Sequence, residues 1–255
     1  IEPFLSQRYD GGMLEASRYM TKGGKRLRGT LAILVCQALG GDMDRALDAA
    51  VAVEMLHAAS LAKDDIQDGD ERRRGGASAW LVYGIRKALA MADVTVPHAI
   101  AMLRKYGREA VYVTVDSWKQ VGVGQAKDLF ASTYRGAKVY EEIITQKTGT
   151  LFGLAAILGG IAAKAPKEQK LLASRYGQNL GATFQVIDDL MDLKQGRPAP
   201  NGFAAWLGAD TPDARLSRLS QEVVDLANQF PDTVYRRYLA ELPMYAHAAM
   251  AKETV

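Results

Sequence analysis

The sequence predicts an all-α fold, a single domain built as an antiparallel bundle of helices, and three observations support this. Apolar residues recur at helical spacing, as they do at Leu47, Val51, Met55 and Ala58. The alternation typical of strands is scarce, and short breaks that contain Gly or Pro divide the chain into helix-sized intervals. Because these intervals follow one another without a linker, we expect one domain over residues 1–255.

Three stretches of the chain need individual justification. Residues 111–115 are β-branched, but they lie between helical patterns, so we predict a helix there. Residues 151–163 are apolar and too short to cross a bilayer, which indicates a buried helix. Residues 195–213 are rich in Gly, Pro and Ala, which predicts a loop, followed by helices over 215–229 and near 235–250.

Composition excludes several classes of protein. The chain has 255 residues, of which 48% are apolar and 24% charged, as in ordinary globular domains. The net charge of +3 is too small to indicate nucleic-acid binding. No apolar run is long enough for a transmembrane helix, and no signal peptide is recognisable. The single cysteine, Cys36, cannot form an internal disulfide, so we expect a cytoplasmic protein.

The first candidate site is an acidic cluster at Asp64, Asp65 and Asp68, spaced as DDxxD. A helix advances about 100° per residue, so Asp64 and Asp68 share a face with His57, while Asp65 is displaced to one side. Two carboxylates one turn apart can share a cation, and Mg²⁺ prefers oxygen ligands and substrate phosphates. By itself the cluster also fits a solvated acidic turn, and His57 a core histidine.

A second DDxxD cluster changes this balance. Asp188, Asp189 and Asp192 follow Gln185 and continue a mostly apolar helix over residues 180–187. Carboxylates in such a place are costly to bury unless cations pair with them. Two copies of the pattern favour metal binding over the alternative, a pair of acidic surface turns.

Three basic segments accompany the acidic clusters. In residues 22–28, two glycines stand beside cations, an arrangement that lets backbone and arginines approach an anion. Residues 72–74 are three arginines, which form either a lattice of salt bridges or a phosphate clamp. Lys147 and Thr148 open the apolar segment that follows. Together these features predict a ligand with a polyphosphate head, metal ions and a hydrocarbon body.

At this point the chain resembles the trans-isoprenyl diphosphate synthases, the family that includes farnesyl and geranylgeranyl diphosphate synthases. The matching fragments are GGKRLRG (23–29), EMLHAASLAKDDIQDGDERRRGG (54–76), YGIRKALAMAD (83–93), GQAKDL (124–129), KTGTLF (147–152) and GATFQVIDDLMDL (181–193). The resemblance implies the isoprenoid synthase fold, a helical bundle around a deep central cavity with the two Asp clusters facing each other. It also implies a homodimer.

The resemblance implies a role for each site residue. Two or three Mg²⁺ ions that bridge an allylic prenyl diphosphate would be held by Asp64, Asp65, Asp68, Asp188, Asp189 and Asp192. Lys147, Thr148, Gln185 and Arg73 would contact the same diphosphate. Isopentenyl diphosphate, the second substrate, would be bound by Lys25, Arg28, His57 and Arg74. Catalysis would fall to Asp64, Asp65, Asp68, Lys147, Gln185 and Asp188.

The implied reaction is head-to-tail condensation of the two substrates into a longer linear prenyl diphosphate plus diphosphate. Ala59 and Ser60 are small where an aromatic would stop the growing chain, which favours a geranylgeranyl or longer product, with Met55 and Leu56 as deeper floors. Two alternatives stay open, a terpene cyclase of the same fold and a non-catalytic regulatory subunit of a synthase. A cyclase would need no second diphosphate site.

The chain also departs from the family pattern. Gly29 stands where the family usually has Pro, Lys63 and Trp80 where it usually has His. After the second Asp cluster, the family's lysines are replaced by residues 194–198, in which Arg197 is the candidate substitute for one of them. This altered region keeps the regulatory-subunit alternative open.

Overall fold

The computed structural model describes residues 1–130 and 136–251, with side chains up to residue 245. The predicted domain over 1–255 also includes residues 131–135 and 252–255, which lie outside the described residues. The described chain is all-α, as the sequence predicts. Its helices are α1 (Glu2–Ser6), α2 (Gly11–Thr21), α3 (Leu27–Ala38), α4 (Met43–Asp68), α5 (Ala79–Tyr83), α6 (Ile85–Met102), α7 (Arg108–Leu129), α8 (Ala137–Ile143), α9 (Thr150–Ala162), α10 (Lys167–Lys194), α11 (Phe203–Leu207), α12 (Pro212–Ala227) and α13 (Val234–Ala251).

Two short helical segments of other types join these helices. A 3₁₀ turn, Leu103–Tyr106, connects α6 to α7, and a π-helical segment, Ile144–Gly149, connects α8 to α9. One antiparallel hairpin is also present, β1 (Arg72–Arg73) with β2 (Gly76–Ala77), in the register Arg72 to Ala77. Among the described helices, none is long and apolar enough to span a membrane.

The core is built around α9, whose apolar residues are almost all buried, as predicted for residues 151–163. It packs against α10, α3 and α4, and glycines bring the backbones close. A Cβ on Gly177 of α10 would lie 2.4 Å from the carbonyl oxygen of Phe152, and one on Gly159 would lie 2.3 Å from that of Ala32. The four residues between α9 and α10 make the two helices antiparallel neighbours.

The β-branched residues 111–115 lie within α7, so the prediction of a helix there is confirmed. Only one residue of this stretch is buried: Thr114 has no exposed surface and its hydroxyl donates to the carbonyl of Ala110 at 2.7 Å, whereas Tyr112 and Val115 are exposed. The helix predicted from the pattern over residues 45–61 is longer than that pattern, since α4 begins where Asp42 accepts from the N–H of Asp44 and ends at Gly69, whose φ is 70°.

The loop predicted over residues 195–213 is only partly correct. Helix α11 forms inside it because Phe203 and Trp206 are buried against Tyr140, with ring centroids 5.2 Å and 5.0 Å away. Helix α12 begins before the predicted position 215, because Thr211 caps it by accepting from the N–H of Ala214 at 3.2 Å. The final helix, α13, lies where the sequence predicts it.

Candidate active site

One cavity of about 350 Å³ brings together most of the predicted site residues. Its walls come from the last turns of α4, from α10, from the start of α3 and from the segment that leads into α9. The predicted residues that line it are Arg28, His57, Asp64, Asp68, Arg73, Lys147, Thr148, Gln185 and Asp188. The two acidic clusters therefore meet across one space, although α4 and α10 are far apart in sequence.

The first acidic cluster divides between two surroundings, as the angular argument predicts. Asp64 and Asp68 line the cavity, while Asp65 is only 3% exposed and does not. The Asp65 carboxylate accepts from Arg73 Nε at 2.7 Å and pairs with the Nη2 atom of the same guanidinium. Arg73 also pairs with Asp70 at 2.9 Å. Asp65 thus fixes Arg73, which lines the cavity. Asp65 itself lines a separate cavity beside the hairpin.

The second acidic cluster divides in the same way. Asp188 lines the cavity, whereas Asp189 is 8% exposed and accepts hydrogen bonds from Tyr140 Oη at 2.5 Å and Gln185 Nε2 at 3.0 Å. Asp192 lies farther out and pairs with Arg197 at 3.0 Å. Arg197, the candidate replacement for a family lysine, is therefore bound to the acidic cluster and does not line the cavity.

Gln185 is oriented from both ends. Thr148 Oγ1 donates to Gln185 Oε1 at 2.7 Å, and the amide nitrogen of Gln185 donates to Asp189. Tyr140 completes the chain of hydrogen bonds behind Asp189 and is itself packed against Phe203 and Trp206 of α11. Helix α11 thus supports the residues behind the cavity wall.

The cavity is strongly charged at its acidic end. Burial raises the pKa of Asp64 to about 6, although the Lys147 ammonium acts in the opposite direction. Burial also raises the pKa of Asp68, and again Lys147 lowers it. Lys147 Nζ is held by Asp128 at 2.7 Å, and although burial lowers its pKa, the carboxylates of Asp128 and Asp64 outweigh this and raise it. The raised pKa values of Asp64 and Asp68 therefore reflect burial, which the nearby Lys147 ammonium only partly offsets.

Lys147 and Thr148 lie on the π-helical segment between α8 and α9. A π-helix holds one more residue in its hydrogen-bonded ring than an α-helix, and such segments are rare outside functional sites. The space for it comes from Gly124 of α7 and Gly149, whose added Cβ atoms would lie 2.6 Å from the nitrogen of Lys147 and 2.9 Å from the carbonyl oxygen of Gln178.

The basic end of the site is a second, adjoining pocket of about 230 Å³, lined by Lys25, Arg28, His57 and Arg74. Burial lowers the pKa of Arg28 to about 10, and its guanidinium lies 4.4 Å above the ring of Phe152. Burial, and next the charge of Arg28, lowers the pKa of His57 well below its usual range. Arg28 Nε and His57 Nδ1 are buried and have no hydrogen-bond partner within the described part of the chain.

The hairpin and the glycine loop hold this pocket together. Arg74 and Gly75, with φ of 52° and 79°, form the turn of the hairpin. Arg74 Nη1 then donates to the carbonyl of Lys22 at 2.9 Å. A side chain on Gly24, whose φ is 78°, would lie 2.9 Å from Arg74 Nε. Residues 22–28 and 72–74, separate in the sequence, therefore form one basic surface.

The donor set of the cavity fits Mg²⁺ in one particular way. Within the residues that are described, no three His, Cys, Asp or Glu side chains converge closely enough to enclose an ion. Asp64, Asp68 and Asp188 instead offer carboxylates from two sides of a cavity wide enough for a ligand. Mg²⁺ is commonly held by one or two carboxylates together with water and substrate phosphates. These residues therefore suit an ion that arrives with a diphosphate.

Comparison with known proteins decides the family. The family model described as polyprenyl synthetase matches residues 12–219. The chain belongs to this family. A hexaprenyl pyrophosphate synthase of Saccharolobus solfataricus is 40% identical over 76% of the chain and 67% of that protein. A short chain isoprenyl diphosphate synthase of Methanothermobacter thermautotrophicus is 30% identical over 85% of the chain and 68% of that protein. The chain thus matches about two thirds of the length of these relatives.

The fold of this polyprenyl synthetase agrees with its family. A geranylgeranyl pyrophosphate synthetase from the archaeon Geoglobus acetivorans superposes with a TM-score of 0.85 at 25% identity, covering 97% of this chain and 95% of that one. The predictions of the family and of the isoprenoid synthase fold are therefore confirmed. The names of the relatives include both short and long products, so the length of the product has to be argued from the cavity.

Three residues around the site were not predicted from the sequence. Tyr140 holds Asp189, Asp128 holds Lys147, and Glu54 lies buried beside the basic pocket. Glu54 had a signal, because it is a charged residue inside the apolar run of α4. Asp128 lies within the matching fragment at 124–129, but its contact with Lys147 had no local signal, and neither had the contact of Tyr140 with Asp189, because the partners are distant in sequence.

Proposed function

We propose that this chain is a prenyl diphosphate synthase that condenses isopentenyl diphosphate head-to-tail with an allylic prenyl diphosphate. The single observation that carries this proposal is the pairing of two anion sites on one apolar space. One site has carboxylates suited to a cation-bridged diphosphate, and the other has Arg28 and His57, whose buried Nε and Nδ1 atoms have no hydrogen-bond partner among the described residues. A reaction between two diphosphates needs both sites, whereas a terpene cyclase needs only the first.

Asp64, Asp68 and Asp188 would hold the Mg²⁺ ions, two or three in number. Asp65, Asp189 and Asp192 would support these three carboxylates from behind the cavity wall and from its outer end. When bound, Mg²⁺ supplies the positive charge that makes the allylic diphosphate a good leaving group. Lys147, Thr148 and Arg73 would bind the same diphosphate, and Gln185 would be oriented toward it by Thr148. Lys25, Arg28, His57 and Arg74 would bind isopentenyl diphosphate.

The apolar wall between the two sites suits the carbon chemistry. The rings of Phe152 and Phe184 stack with centroids 5.2 Å apart, and both line the cavity with Leu61 and Leu151. In the proposed step, the allylic C–O bond breaks, the double bond of isopentenyl diphosphate attacks the allylic carbon, and a proton then passes to the departed diphosphate. The apolar side chains exclude water from the cationic carbon. The aromatic rings also stabilise its positive charge electrostatically.

The product would be geranylgeranyl or longer. Ser60, a small residue, lines the cavity with its hydroxyl directed to the carbonyl of His57 at 2.9 Å, so no bulky side chain at this position blocks a growing chain. Ala59 is fully buried and does not line the cavity. Met55 and Leu56, the deeper floors predicted from the sequence, are fully buried in the core.

The domain organisation, the oligomeric state and the location of the protein belong to the same proposal. We propose a single domain, a homodimer and a cytoplasmic location. The homodimer is supported by apolar side chains left exposed on α5 and α6, namely Leu81, Val82, Ile85 and Leu89. The location is supported by the buried free thiol of Cys36. Light scattering after gel filtration would show a mass of about twice the 27.7 kDa chain for a dimer.

The test is to incubate the purified chain with Mg²⁺, isopentenyl diphosphate and allylic diphosphates of several lengths, and to identify the products by mass spectrometry. Longer linear prenyl diphosphates, lost on chelation and restored by Mg²⁺, support the proposal. Cyclic hydrocarbons made without isopentenyl diphosphate would indicate a cyclase instead. Turnover only after addition of another subunit would indicate a regulatory role.

A pair of variants ties the result to the site. Asp64→Ala should abolish turnover and leave the circular dichroism spectrum unchanged. The matched control is Asp116→Asn, which changes a carboxylate that is 71% exposed and pairs with Lys119 on the surface of α7. An Asp64→Ala enzyme that keeps its activity would contradict the assignment of the metal site.

A further inference from the structure

Glu54 is a buried carboxylate for which the proposed reaction has no role. It lies on α4, three residues before His57, and is only 5% exposed at the edge of the basic pocket. Its Oε1 atom accepts from the backbone N–H of Gly29 at 2.8 Å, and its Oε2 atom lies 3.5 Å from Arg26 Nη1. A carboxylate is rarely buried to this degree unless it is paired, and these two contacts supply the pairing.

The start of α3 shows what Glu54 does. This helix begins at Leu27 after Arg26, which has a φ of 53° and makes no side-chain capping bond. Arginine has no acceptor atom, so Arg26 cannot satisfy the unpaired N–H groups of the first turn. Glu54 supplies that acceptor from a neighbouring helix, at the N–H three positions after the cap. Its negative charge is also favourable at the positive end of the helix dipole.

Gly29 makes this contact possible. The family usually has Pro at this position, and Pro has no N–H to donate. A Cβ on Gly29 would lie 3.1 Å from Cγ of Glu54, so the absence of a side chain also lets the carboxylate approach. The hydrogen bond is therefore a consequence of one of the departures in this chain.

The residue next to this bond is Arg28. Its guanidinium is buried above Phe152 and lines both the main cavity and the basic pocket. Because Arg28 lies on the first turn of α3, between the cap and Gly29, a shift of that turn would move the guanidinium relative to the pocket. Holding the turn in place therefore holds the principal cation of this pocket in place.

We propose that Glu54 is a positioning residue for the second diphosphate, because it caps α3 through Gly29 and so fixes Arg28. The inference rests on the proposed function only for the identity of that diphosphate. In this role Glu54 does not contact the substrate. It affects substrate binding through the position of Arg28, which a residue that only stabilises the fold would not do.

The experiment compares Glu54→Ala with Glu54→Gln. Glutamine keeps an oxygen that can accept from Gly29, whereas alanine has none. Loss of a helix cap corresponds to a change of about twofold to thirtyfold in an equilibrium constant. We therefore expect Glu54→Ala to raise KM for isopentenyl diphosphate about tenfold and KM for the allylic substrate less than about twofold. Glu54→Gln should stay within about threefold of the unchanged protein for both substrates.

Two further variants provide the controls. Gly29→Pro removes the donor from the other side, so it should also raise KM for isopentenyl diphosphate, and adding Glu54→Ala to it should change KM by less than about twofold. Asp48→Asn alters an exposed carboxylate of the same helix, paired with Lys105 at 2.6 Å, and should change neither KM. Thermal melts confirm that every variant is folded at the assay temperature.

The outcomes separate this inference from the proposed function. The positioning role is overturned if Glu54→Ala raises both KM values equally or raises neither. It is also overturned if Glu54→Gln raises KM for isopentenyl diphosphate as much as Glu54→Ala does. If the unchanged protein makes no product, the proposed function fails, and calorimetry with inorganic pyrophosphate in EDTA decides the inference alone. Affinity about tenfold weaker in Glu54→Ala then supports the role, and equal affinity overturns it.

Discussion

The buried charge of Asp64 should cost the metal-free protein stability, and replacing it by Asn should restore that stability. Burial raises the pKa of this carboxyl from its usual value of 3.8 to about 6. A shift of roughly two pH units corresponds to about 3 kcal/mol between the charged and neutral forms. Because Asn also loses the attraction to Lys147, we expect the free energy of unfolding at pH 8 to rise by about 1–3 kcal/mol.

The dependence on pH follows from the direction of this shift. The folded protein binds the Asp64 proton more tightly than the unfolded chain does. The stability that this proton contributes is therefore fully present below pH 3.8 and is lost as the pH rises through about 6. The advantage of Asp64→Asn should accordingly be largest at pH 8 and shrink as the pH falls from 6 to 4.

The assay is urea denaturation in EDTA at pH 8, 6 and 4, followed by circular dichroism. Asp116→Asn, on the exposed surface of α7, is the control and should leave the free energy of unfolding within about 0.5 kcal/mol at each pH. Adding Mg²⁺ and pyrophosphate should stabilise the unchanged protein more than Asp64→Asn. An Asp64→Asn protein that is no more stable at pH 8, or whose stability advantage does not vary with pH, would contradict a destabilising buried charge at Asp64.

Three other substitutions, one of them with a matched control, have defined outcomes. Tyr140→Phe removes a donor from buried Asp189, so the free energy of unfolding in urea should fall by about 1–3 kcal/mol, and an unchanged value would contradict the assigned hydrogen bond. Gly177→Ala places a Cβ 2.4 Å from a backbone carbonyl of α9 and should lower the free energy of unfolding by at least about 1–3 kcal/mol. Its control, Gly122→Ala, meets nothing within 4 Å and should raise the free energy of unfolding by about 0.5–1 kcal/mol. Ser60→Phe narrows the cavity and should shorten the products seen by mass spectrometry, while an unchanged distribution would show that the chain grows elsewhere.

The long helices were predictable because their signal is local. The apolar spacing of α4 is readable over several turns, and the angle between Asp64 and Asp65 follows from the helix alone. Helix α11 was not predictable, since five residues carry little periodicity and their burial depends on Tyr140, far away in the chain. Residues 111–115 were predictable from the helical patterns on either side, although their β-branched side chains favour a strand.

The candidate site shows a similar division. Motif spacing found the residues that line the cavity, because their chemistry is unusual for an apolar helix. For the second cluster, it did not separate Asp188, which lines the cavity, from Asp189, which a tyrosine on another helix holds behind the wall. Nor could it find the contact between Glu54 and Gly29, which joins two helices through a backbone atom.

The π-helical segment Ile144–Gly149 sets the rotational phase between α8 and α9. An extra residue in one turn rotates everything before it by about 100° relative to everything after it. Tyr140 can therefore meet Asp189 while Lys147 reaches the cavity and α9 keeps its apolar surface in the core. Chain length at this point matters more than residue identity. Deleting Gln146 would turn α8 out of phase, whereas most substitutions there would leave the phase intact.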